Sequence, residues 1–160
     1  MRGFYNGNRE MDEYMLINAF ALIVIAAIAF KYGSLTSAGF VIFYCVYITS
    51  DFMDMTFGFD GTLIYLLNAT TSAMVMLYFL FCALYKPSMA RLWFCMAMFI
   101  FICYVIPNAS MSGLIDTKAH YWSTNAYIGL MDFNWAADIM LTFIGTYKER
   151  CRECDSELSL

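Results

Sequence analysis

The chain is cut into five apolar runs by short polar breaks, and that pattern restricts the fold more than any other feature. The runs span about residues 14–31, 35–50, 62–85, 91–106 and 126–147. In lipid every backbone N–H and C=O must be satisfied within the protein, so apolar runs of this kind are read as helices. The expectation is an all-α, polytopic membrane helix bundle of about five transmembrane helices, or four if the last lies in the interface. Composition agrees: 62% of the 160 residues are hydrophobic and 14% charged, against roughly half and a quarter in soluble domains.

Residues 1–147 are read as one transmembrane domain and 148–160 as a charged cytoplasmic tail. Five spans place the termini on opposite sides. Lys31, Lys86, Arg91, Lys148, Arg150 and Arg152 fall on one side, and only Arg2, Arg9 and Lys118 on the other. The positive-inside rule then sets the N-terminus outside and the C-terminus inside, in a cytoplasmic (inner) membrane. Ala27-Ile28-Ala29 resembles a signal-peptidase site, but Glu10, Asp12 and Glu13 precede it where a signal peptide carries net positive charge. Gly33 with Ser37, and Ser34 with Ala38, have the small-xxx-small spacing that lets helices approach closely. Five spans do not divide into two equal inverted repeats.

The net charge of −4 argues against nucleic acid and against a polybasic membrane-surface module. Catalysis finds little support. His120 is the one histidine, and there is no HExxH, no nucleophile elbow and no phosphate-cradling glycine loop. No cofactor is expected.

The last run carries what chemistry there is. At 100° per residue, Tyr127, Met131, Asn134, Asp138, Thr142 and Gly145 share one stripe, whereas Asp132 points elsewhere. Asp138 would lie ~18 Å below the outer boundary, near the midplane, and Asp132 ~9 Å down. On the third run Asn68 would be ~9 Å deep and Thr71 ~14 Å, so the two helices are expected to face each other with polar groups. Asp51 and Asp54, three residues apart in an acidic loop over residues 51–61, would form an outer mouth.

A carboxylate in lipid is costly, and the basic residues within the runs, Lys31 and Arg91, stand at their very ends, leaving nothing basic inside any run to offset Asp138. It would be protonated, bind a cation or line water between subunits. Those options make a channel or transporter for protons, small cations or a polar solute. Two other readings stay open: an interhelical hydrogen bond worth about 1 kcal/mol, and an amphipathic helix lying along the interface. The alternative function is a non-catalytic membrane interaction protein, such as a phage-type holin, an exclusion factor or an assembly subunit. The partners expected are the bilayer and a second copy or another membrane protein.

Cys151 and Cys154 form a CxxC in the tail, which is half of a structural zinc site. Juxtamembrane cysteines are also targets of palmitoylation, and two free thiols is the plainer reading. Met53, Met55, Met96 and Met98, with Cys95, are soft copper ligands in principle, though methionine more often fills gaps in a core.

Overall fold

The computed structural model describes residues 7–58, 61–114 and 124–157. Five long helices follow one another: α1 Gly7–Tyr32, α2 Leu35–Phe57, α3 Gly61–Tyr85, α4 Pro87–Met111 and α5 Thr124–Glu157. No strand occurs among the described residues. The fold is all-α, and two of its helices, over Thr62–Tyr85 and Pro87–Met111, are long and apolar enough to cross a membrane. The apolar stretches Leu16–Tyr32 and Leu35–Ser50 are shorter.

Local sequence sets the breaks. Gly33 adopts φ 62° and its N–H donates to the Ala29 carbonyl at 2.7 Å, closing α1. A left-handed residue after the last helical turn favours glycine because it lacks Cβ. Ser34 then opens α2, accepting the Ser37 N–H at 3.1 Å on its hydroxyl as an N-cap residue does. With no Gly or Pro between Ser50 and Gly58, α2 runs on to Phe57 and stops at Gly58, φ 61°. Asp51 and Asp54 therefore lie on the last turns of a helix instead of in the expected loop.

Two further boundaries differ from expectation. Pro107 does not end the fourth helix. Helix α4 passes from Ala90–Ile100 through a π-helical turn, Phe101–Val105, into Ile106–Met111. A widened turn relieves the clash a proline ring makes with the preceding turn. Nor does α5 stop at Tyr147; it continues to Glu157, so the tail expected from residue 148 begins as helix.

Helix α2 packs between α1 and α3, α3 packs on α4, and α5 lies against α1 and α2. Phe40, Phe43, Phe79, Trp93, Met96 and Ile100 fill the interior. Phe40 and Phe79 stand 5.3 Å apart, and Phe43 meets the Tyr104 ring edge-on at 4.9 Å. The bundle also encloses polar side chains, among them Asn68, Asn108, Asn134, Asp138 and Glu149, while large apolar ones such as Phe30 (97% exposed) and Leu84 (81%) point outward.

Candidate functional site

Helix α5 turns one polar stripe inward. Asn134, Asp138, Thr142, Thr146 and Glu149 recur at the spacing of one helix face, and none is more than 4% exposed. Gly145 lies on the same face, where an added Cβ would stand 2.5 Å from Thr36 Cγ2 and 2.8 Å from Met96 Cε. That stripe carries two carboxylates.

Asp138 is fully buried. Its Oδ2 accepts hydrogen bonds from Tyr44 on α2, at 2.8 Å, and from Tyr104 in the π-turn of α4. Its Oδ1 has no hydrogen-bond partner among the described residues. Thr142 donates to the Asp138 backbone carbonyl at 2.7 Å. Aromatic rings wall the site, with Phe43 edge-on to Tyr44 at 5.6 Å. Behind Tyr104, Asn108 donates to the Tyr47 hydroxyl at 3.0 Å and to the Tyr104 carbonyl at 2.9 Å.

One turn before Asp138, Asn134 repairs the break in α4. Pro107 has no N–H to give the Cys103 carbonyl four residues back. The side-chain amide of Asn134 donates to that carbonyl at 3.0 Å. Helix α5 thus grips the π-turn of α4 with two side chains, Asn134 and Asp138.

Glu149 caps the start of α2. Its Oε2 accepts the Leu35 N–H at 2.9 Å, and its Oε1 accepts the Thr36 N–H at 2.9 Å and the Thr36 hydroxyl. A helix N-terminus carries unsatisfied N–H groups and the positive end of the dipole, so an anion is stabilised there. Trp93 on α4 donates to the same Thr36 hydroxyl at 3.0 Å, and Ser34 is hydrogen-bonded to Thr146 at 2.7 Å. A small cavity of 80 Å³ lies nearby between α1 and α5, lined by Ile28, Tyr32, Phe143, Thr146, Tyr147 and Arg150.

Asn68 and Thr71, also expected at the site, make their hydrogen bonds elsewhere. Asn68 accepts from Ser50 of α2 at 3.0 Å, and Thr71 donates to the Leu67 carbonyl of its own helix at 2.9 Å. Both lie on α3, whose neighbours are α2 and α4, so the expected pairing of the third and fifth helices is replaced by α1 and α2 packing on α5, with Cys103 and Tyr104 of α4 joined to it by hydrogen bonds. Asp51, Asp54 and Asp132 lie on helices, but their side chains are outside the described ones, as are Asp60 and His120 altogether. Cys151 is exposed on α5 and the side chain of Cys154 is not among those described. No group of three or more His, Cys, Asp or Glu side chains converges among the described residues.

Sequence reasoning missed Tyr44, Tyr104 and Glu149. Glu149 had a signal, because it lies eleven residues after Asp138 and so returns to the same face. The tyrosines had none, since a tyrosine within an apolar run reads as packing or as an interface anchor. The chain matches no known protein family, no curated protein and no solved structure.

Proposed function

We propose that this protein is a five-span membrane bundle that passes protons or small cations by way of Asp138. One observation carries the reading: a fully buried carboxylate has one oxygen held by two phenols and the other oxygen unpartnered among the described residues. No Lys, Arg or His occurs between residues 35 and 85, or between 92 and 117, to offset it. A membrane protein retains such a group where it faces a proton, an ion or water.

The membrane setting is supported by two helices of spanning length and by the distribution of polarity, with amides and carboxylates inside and large apolar side chains such as Phe30, Phe81 and Leu84 outside. Water around such a bundle would be opposed by the exposed apolar surface; lipid would not. The orientation proposed is N-terminus outside and C-terminus inside, in the inner membrane, with lipid and further copies of the chain as partners. The activity is transport and not catalysis.

A second reading has its own support. The Asn134 amide N–H and both Glu149 oxygens are spent on interhelical ties, which suits a non-transporting interaction protein of the holin, exclusion or assembly type. Proteoliposomes separate the two. Proton or cation flux that Asp138→Asn abolishes is the expected result. Flux that survives the substitution, or none from the intact protein, would leave the interaction reading in place.

A further inference from the structure

We infer that the occupant of the Asp138 site is a proton, carried on Oδ1, and that Tyr44 and Tyr104 exclude metal cations from it. The inference deepens the transport reading and rests on its membrane setting. A metal cation must recover its hydration shell from protein oxygens. Calcium takes six to eight, magnesium demands a near-octahedral set, and selectivity filters surround alkali ions with rings of carbonyls. Asp138 Oδ1 and, one turn earlier on the same stripe, Asn134 Oδ1 are the buried side-chain oxygens left over among the described residues, too few for such a shell. Both phenols point their hydrogens at Oδ2, so a cation approaching that oxygen would meet two positive hydrogens. Thr142, the nearest hydroxyl along its own helix, is turned back to the Asp138 carbonyl. Among the described residues no group of three or more His, Cys, Asp or Glu side chains forms around it.

A proton needs only one oxygen. Hydronium delivers it to Oδ1: an O–H bond forms there and water departs, and release runs in reverse. Oδ2 then serves as the carbonyl oxygen of a neutral acid and accepts two hydrogen bonds through its two lone pairs. The tyrosines keep their own protons and their places in both states. The titratable groups beside the site are Tyr44 and Tyr47 on α2 and Cys103 and Tyr104 on α4. On α1 the cation Lys31 stacks on Tyr32 at 5.1 Å, at the Glu149 end of the bundle. Glu149 itself stands about 16 Å further along α5. No positive side chain among these competes for the role of counter-ion.

Infrared difference spectroscopy of the full protein in lipid, titrated with acid, tests this directly. The expected result is a carboxylic-acid C=O band that shifts in deuterium oxide, is lost in Asp138→Asn, and does not change when sodium, potassium, magnesium or calcium is added at fixed pH. Loss of the band on adding any of these metals would overturn the inference, and so would its absence at every pH. The metal titration uses the unaltered protein, so it holds even where the variant fails to fold. A band without flux in proteoliposomes would leave the proton site standing and remove the transport reading. Flux of a metal ion that displaces the proton would do the opposite.

Discussion

Helix α5 carries two buried acids on one face, and their surroundings are opposite. Glu149 has both oxygens engaged, by two backbone N–H groups and a hydroxyl at the start of α2. Asp138 has one oxygen doubly engaged and the other without a partner among the described residues. Burial alone therefore does not distinguish a structural carboxylate from a functional one. A charge whose every acceptor is used has been assigned to the fold. A charge left half-used retains capacity for something that comes and goes. The comparison predicts that removing Glu149 damages the bundle and removing Asp138 damages what the bundle does.

The largest expected effect is at Asp138. Asp138→Asn should reduce flux in proteoliposomes by tenfold or more, while the amide oxygen still accepts from both tyrosines. Its unfolding free energy in mixed micelles should change by less than about 1 kcal/mol, the scale of one interhelical hydrogen bond in a membrane. A large loss of stability with unchanged flux would reverse the roles assigned to the two acids. Glu149→Ala is the counterpart. It leaves three donors at the start of α2 without acceptors, at about 1–3 kcal/mol for each one that water does not reach. A total near 3 kcal/mol is expected in micelle unfolding, with the flux per folded molecule retained.

Gly145→Ala sharpens the comparison without touching either carboxylate. The new methyl would enter the space of Thr36 and Met96, and overpacking of this kind costs about 1–3 kcal/mol. Thr36 is also the residue that Glu149 holds. The loss should therefore add less than fully to that of Glu149→Ala, since neighbours sharing a partner are not independent. Strict additivity in the double variant would show that Gly145 and Glu149 secure α2 separately.

The stripe on α5 was legible in the sequence because helical periodicity alone brings Asn134, Asp138 and Thr142 together, and nothing basic away from the ends of the apolar runs could offset Asp138. The helices themselves were legible from length and polarity. What faces the stripe was not. Periodicity fixes a residue's face on its own helix but not which helix lies opposite, so Asn68 and Thr71 were set against α5 when α3 lies elsewhere. Glu149 was misread for a related reason: charge in a terminal segment reads as solvated unless the partner is known, and the partner is the backbone of α2. The course of α4 through Pro107 was hidden because the π-turn that admits the ring leaves no mark in residue type.

The smallest expected effect concerns Asn134, and it asks whether the stripe is structural on the other side of Asp138 as well. Asn134→Leu should cost about 0.6 kcal/mol, the mean for such bonds between membrane helices, by removing the donor to the Cys103 carbonyl. Pro107→Ala restores a backbone N–H able to reach that carbonyl from within α4. In the Pro107→Ala background, then, Asn134→Leu should cost close to nothing, and the coupling in the double-mutant cycle should approach the whole of the single effect. Equal costs in both backgrounds would mean that Asn134 contributes through some other contact. In that case α5 would hold the π-turn of α4 only through Tyr104 and Asp138, and protonation of that one carboxyl group would bear directly on how firmly the two helices are joined.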